Sequence, residues 1–168
     1  RWGKEQEKMW DAAVAGNSCL REALRRSIVD ECAEAFSIEQ GDLLADIAEF
    51  YDSLRADYVI SAAVRMQFRK RTLALLMLQH STPRLIRCQG AYAEPILSDC
   101  SLLAGSRHSN SLAKAVVYEI VERTIYKIPG IVPRAWYDDI SIKIMGSRQS
   151  VGVKLVETTE ALTSIDVN

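Results

Sequence analysis

The sequence predicts an α+β fold, with helices packed on one face of a mostly antiparallel sheet and a helical segment ahead of it. Three observations predict it. Apolar residues recur at helical spacing over five stretches, centred near residues 9, 28, 70, 118 and 156. Two pairs of short β-favouring runs flank the turn-like sequences "QGAY" and "YDD". The order of elements (strand, helices, hairpin, helix, hairpin, helix) is neither strict βαβ alternation nor an all-β meander.

Each element has its own signal. Lys4 to Val14 carries apolar residues on one side and reads as a first helix. Asn17-Ser18 caps a second, running to about Phe36, with Leu20, Leu24, Ile28, Val29 and Cys32 at helical spacing and Arg21, Arg25 and Arg26 on its other faces. Asp42 to Phe50 reads as a short apolar strand, with the acid Asp46 where it should end. Tyr58 to His80 is helical with a break near Arg69-Lys70-Arg71. Pro83 to Cys88 and Ala93 to Leu97 form a hairpin. "SLAKAVVYEIVERTIY" is a helix of about four turns. Ile131 to Tyr137 and Ile140 to Met145 make a second hairpin around Asp138-Asp139, and a last helix covers Val151 to Leu162.

Composition narrows the function classes. A chain of 168 residues can bury one sizeable core, and 48% hydrophobic with 26% charged residues is ordinary for a globular protein. A net charge of −1 gives no whole-chain nucleic-acid signal, although a local basic groove fits inside a neutral total. Cys19, Cys32, Cys88 and Cys100 lack C-x-x-C spacing and read as free thiols, which points to an intracellular protein of nucleus or cytoplasm. No apolar run is long enough to span a bilayer, so no membrane partner is expected. The start at Arg1 rather than Met suggests a piece of a longer chain.

Asp138-Asp139 has two readings. Aspartates are common in hairpin turns, because their side chains bond local backbone. They also suit a metal site if another acid comes close. In a split βαβ arrangement the first strand lies beside the later hairpin, which brings Asp46 to face Asp138 and Asp139. Three such carboxylates need a compensating cation, and oxygen-only donors suit Mg²⁺. Two ions about 4 Å apart clamp the attacking and leaving oxygens of an in-line phosphoryl displacement.

Several stretches resemble motifs of the reverse transcriptases, in the order that family has them. "ADIAEFYDSL" (45–54) resembles motif A, "LLAGSRHSNSLAKAVVYEI" (102–120) motif B, and "WYDDISI" (136–142) the aromatic-x-Asp-Asp hairpin of motif C. "GVKLVETTEALTSIDVN" (152–168) is similar to the helix-then-strand of motif D. Residues 83–105 resemble the hairpin leading into motif B in non-LTR retrotransposon enzymes. The resemblance covers residues 40 to 168. It departs from the family at Ala104, where Gln is common, at Arg107, where Pro is common, and at the bulkier Trp136.

The resemblance implies a polymerase palm with a ferredoxin-like antiparallel sheet over residues 41–168, lacking a thumb, with residues 1–40 belonging to the fingers. It implies RNA-directed DNA synthesis with two Mg²⁺ ions (Mn²⁺ in their place), dNTPs, and an RNA or DNA template with primer, within a longer polyprotein. Asp46 and Asp138 would be the main metal ligands, with Asp139 beside them and the backbone carbonyl of Ile47 pointing at a metal. Tyr51 would lie under the incoming sugar and exclude a ribose 2′-hydroxyl. Gly105 would admit the nascent base pair. An RNA-directed RNA polymerase shares this palm, and Tyr51 argues against it. The alternative is a catalytically degenerate palm that only binds nucleic acid or protein.

Blander readings stand beside these. Tyr51 suits a core aromatic equally well. Glu49 and Asp52 suit solvated or capping acids, and "RMQFRKR" (65–71) a solvated face. His80 and His108 lack the spacing of a metal pair. Met66 and Met77 read as core fillers.

Overall fold

We describe the chain from a computed structural model covering residues 2–97, 100, 102–103, 106 and 108–164. In chain order the elements are α1 (Trp2–Glu5), α2 (Cys19–Ala35), β1 (Glu39–Asp46), α3 (Phe50–Ser53), α4 (Ala56–Arg65) and α5 (Lys70–His80). The short strands β2 (Arg87–Cys88) and β3 (Ala91–Tyr92) follow, then α6 (Ser109–Lys127), β4 (Ile131–Trp136), β5 (Asp139–Gly146) and α7 (Arg148–Thr163). This is the α+β class that the sequence predicts. The described residues form two compact units, one of residues up to 47 with those from 120 to 164, the other of those between 48 and 119.

The first unit is built on a three-stranded antiparallel sheet in the order β1-β5-β4. Strand periodicity sorts its residues onto two faces. Ile140, Ile142 and Ile144 of β5 are almost fully buried on one of them. Gly41 of β1 lies on that same face, and a Cβ there would meet Leu155 and Val151 of α7 at 2.8 and 2.9 Å. The glycine therefore sets how closely α7 lies on the sheet. The other face carries Asp42, Leu44 and Asp46 of β1 beside Lys143, Ser141 and Asp139 of β5.

Helix α2 meets that second face mainly through charge. Arg26 bonds Asp42 at 3.2 Å, Glu22 reaches Arg134 at 3.6 Å, and Asp30 pairs with Lys143. Its N-cap is Ser18, whose side chain accepts from the backbone N–H of Arg21. The helix exists where its periodicity predicts, but its apolar stripe does not face a core. Leu20, Leu24 and Ile28 are 80%, 60% and 51% exposed, because ion pairs turn the Glu22, Arg26 and Asp30 side toward the sheet.

The helix predicted over Lys4 to Val14 shrinks to α1, which ends at Glu5. Strand pairing displaces it. The backbone N–H of Ala12 donates to the Ala135 carbonyl at 2.8 Å, and that of Ala135 donates to the Trp10 carbonyl at 3.0 Å. Residues 10–12 thus run along the free edge of β4, bridged at Asp11 and Ala135.

In the second unit α4 packs against α5, with Val59, Ala62, Ala63, Leu73, Leu76 and Met77 buried. The break between them contains Gln67 at φ +57°. Met66 and Met77 are core residues, as the sequence predicts. Arg65 is no free member of a basic patch, since it pairs with buried Glu119 at 2.5 Å. The β2–β3 hairpin turns tightly at Gln89-Gly90, both left-handed, and Arg87 stacks over the Tyr92 ring.

Candidate functional site

The end of the sheet in the first unit gathers the acids. β1 terminates at Asp46, as the sequence predicts, rather than running on to Phe50, because residues 50–53 coil into α3. Asp46 stands opposite Asp139 in the β1–β5 register, and Asp139 stands opposite Trp136 in the β4–β5 register. The hairpin turn is therefore Tyr137-Asp138. Asp139 opens β5 and is not a turn residue. Tyr137 has φ +55°, a left-handed conformation that costs a bulky residue about 1–2 kcal/mol. The Ile47 backbone N–H reaches the Asp138 carbonyl at 3.4 Å and ties the two strand ends together.

Directly opposed residues on an antiparallel pair point to the same face, so Asp46 and Asp139 share one surface. Both are exposed, and Asp138 is half-buried. Within the described residues no hydrogen bond or ion pair neutralises the side chain of any of the three. Nor, within those residues, do three His, Cys, Asp or Glu side chains converge closely enough to hold a metal ion by themselves. The structure thus brings two of the three predicted acids face to face and sets the third one residue away.

A cavity of about 710 Å³ runs from this acid pair along the sheet face toward α2. Trp136 and Leu44 contribute apolar wall, while Arg25, Arg26, Arg134 and Lys143 carry charge. Those cations have partners. Lys143, only 9% exposed, is held by Asp30, by Asp42 at 3.2 Å and by Gln40 at 3.3 Å. Its ammonium holds the Asp30 carboxyl below the usual carboxylate range. Sequence reasoning missed this network. The signal was present, since Asp42 precedes Asp46 by four residues and so shares its strand face.

Tyr51 lies in α3 of the second unit. It is half-buried, its ring meets that of buried Phe50 edge-on at 5.3 Å, and its hydroxyl donates to Asn110 Oδ1 at 2.8 Å. Its carbonyl accepts from the Leu102 backbone N–H at 2.7 Å. Leu103 is fixed as well. His80 Nδ1 accepts from its N–H at 2.9 Å, and the Ser109 hydroxyl donates to its carbonyl at 2.7 Å. Burial, then the nearby charge of Arg84, pushes the His80 imidazole below its ordinary value. Gly105, with Ala104 and Arg107, lies outside the described residues, as does the strand of the motif D resemblance.

No known protein family matches this chain, and no curated protein does either. Among solved structures it is similar to apo telomerase from Candida tropicalis truncated from C-terminal domain, at 12% identity with a TM-score of 0.62. The match covers 88% of this chain and 32% of that one, so the chain spans about a third of the telomerase's length. That likeness establishes the fold alone: this chain shares an α+β architecture with about a third of that telomerase chain.

Proposed function

We propose that this chain is the palm of a template-directed DNA polymerase of the reverse-transcriptase type, belonging to a retroelement, which adds dNTPs to a primer 3′-hydroxyl. One observation carries the reading: Asp46 and Asp139 stand opposed without a countercharge at the end of a sheet whose fold matches a telomerase. Like charges placed directly opposite oppose folding, so their retention is explained by a ligand that neutralises them. The retroelement assignment rests on the non-LTR resemblance of residues 83–105.

The donor set fits a hard divalent ion in kind, being carboxylate and carbonyl oxygen only. Mg²⁺ commonly takes one or two carboxylates and completes its shell with substrate phosphates, so the absence of a three-acid cage among the described residues does not disqualify the pair. Asp46, Asp138, Asp139 and the Ile47 carbonyl would hold two Mg²⁺ ions. Bound there, they would supply charge neutralisation for nucleotidyl transfer. The chain's own part is positioning. The β1–β5 register fixes the spacing of the acids, and the strained turn at Tyr137 sets Asp138 next to them.

A second reading, a degenerate palm that only binds nucleic acid or protein, is favoured by the failure of the three acids to converge. Primer extension with Mg²⁺ and dNTPs, beside an Asp138→Asn, Asp139→Asn double variant, separates the two. Extension by the natural protein and none by the variant supports the polymerase. Equal extension by both overturns the proposed site. A folded natural protein that extends nothing supports the degenerate palm.

A further inference from the structure

Tyr51 is bound at both ends, through its carbonyl and through its hydroxyl. Its carbonyl takes the N–H of Leu102, just before residues 104–107, and its hydroxyl is held by Asn110, just after them on the first turn of α6. Ser109, only 1% exposed, donates its hydroxyl to the Leu103 carbonyl. Phe50, 4% exposed, fixes the other side of the tyrosine ring. The backbone of residue 51 is therefore tied by main-chain pairing, and the hydroxyl at the far end of its ring is bonded to the Asn110 side chain.

We infer that Asn110 is a positioning residue for sugar selection, acting through the Tyr51 hydroxyl; this rests on the polymerase reading above and on Tyr51 as the group beneath the incoming sugar. The physical argument concerns the tip of the ring. Excluding a 2′-hydroxyl requires a wall that does not yield by more than about the radius of an oxygen atom. A tyrosine fixed only at its backbone can rotate about χ1 and χ2 between staggered wells. With its hydroxyl bonded to a helix-borne amide at 2.8 Å, those rotations break a hydrogen bond. Asn110 touches no substrate in this scheme. It stiffens the residue that does.

The test measures kcat/KM for dNTP and for rNTP at one template position, using the full chain. Tyr51→Phe and Asn110→Ala each remove the bond and leave the ring. Each lowers the dNTP preference by about fivefold, the change that one neutral hydrogen bond controls, and the double variant lowers it no further. Asn110→Asp, which keeps an acceptor for the tyrosine hydroxyl, restores the preference. That rescue is a result which a general loosening of α6 does not give. Tyr51→Ala removes the wall and abolishes the preference. Should Asn110→Ala leave the preference intact while Tyr51→Ala abolishes it, Asn110 has no such role and the polymerase reading stands. If Tyr51→Ala also changes nothing, the assignment of Tyr51 fails and this inference with it. A folded natural protein that incorporates neither nucleotide overturns both.

Discussion

Asp46 and Asp139 face each other across β1 and β5, four residues along from Asp42 and Lys143, which face each other in the same register and are joined at 3.2 Å. One sheet face therefore contains a satisfied pair and an unsatisfied one. The satisfied pair lies beneath α2 and is buried enough that Lys143 is only 9% exposed. The unsatisfied pair lies at the exposed strand ends, where a ligand can reach it.

Removing one charge of the unsatisfied pair should stabilise the fold. Asp46→Asn or Asp139→Asn abolishes the opposed like charges, a relief of up to about 1 kcal/mol for a cross-strand pair. Urea denaturation is expected to show a higher midpoint with an unchanged slope, while primer extension is lost. The gain in stability shrinks in high salt or in millimolar Mg²⁺, both of which already attenuate the repulsion in the natural protein.

Gly41 presents the opposite case, in which a small change costs stability without touching the acids. A Cβ at this position approaches Leu155 and Val151 of α7 to under 3.0 Å, and both are side chains in a packed layer. Gly41→Ala is expected to cost about 1–3 kcal/mol, the range for overpacking, measured as a lowered denaturation midpoint. Truncating the contact in the same chain, as Gly41→Ala with Leu155→Ala, recovers part of that loss and identifies the clash as its cause.

The sequence made the sheet end legible for a simple reason. Strand termination at Asp46 and the turn before Asp139 are local signals, and their neighbourhood follows from the split βαβ connection. What sequence could not supply was the direction in which α2 faces. Leu20, Leu24 and Ile28 look like a core stripe, yet the decisive partners of the helix are Asp42, Arg134 and Lys143, which lie 16 to 113 residues further along the chain from the side chains they bond. Periodicity detects an apolar face but not what it meets. The first helix failed on the same account, since the partner that drew residues 10–12 into an extended path was Ala135. Likewise Asn110 carries no motif of its own and gains meaning only from the tyrosine hydroxyl it accepts.

Lys143 is the hub of the α2 contact, and its loss takes the bonded cation from Asp30 and leaves Asp42 with Arg26 alone. Lys143→Ala is expected to destabilise the first unit and increase amide exchange along α2. Lys143→Met combined with Asp30→Asn and Asp42→Asn recovers stability, because it removes charges on both sides. The depressed Asp30 carboxyl sets the pH dependence. Its folded value lies below 3.8, so its contribution is present above that value and disappears as pH falls through the folded one. Acid titration of Lys143→Ala should lack this late component.

His80 links protonation to Leu102-Leu103, the described segment ahead of α6. Its Nδ1 accepts the Leu103 N–H, which places the ring proton on buried Nε2, where no hydrogen-bond partner meets it among the described residues. A second proton converts the acceptor into a donor and breaks the bond to Leu103. The folded pKa lies below 6.5, through burial first and the charge of Arg84 second. Stability from this site is therefore complete above 6.5 and lost as pH falls through the folded value. Hydrogen exchange at Leu103 should accelerate over that window in the natural protein. His80→Asn keeps an acceptor near the place of Nδ1 and does not titrate, so its Leu103 amide stays protected at low pH. His80→Leu loses the acceptor and exposes that amide at every pH. Equal protection in all three proteins would show that Leu103 is held by its other contacts and that His80 is only a core residue.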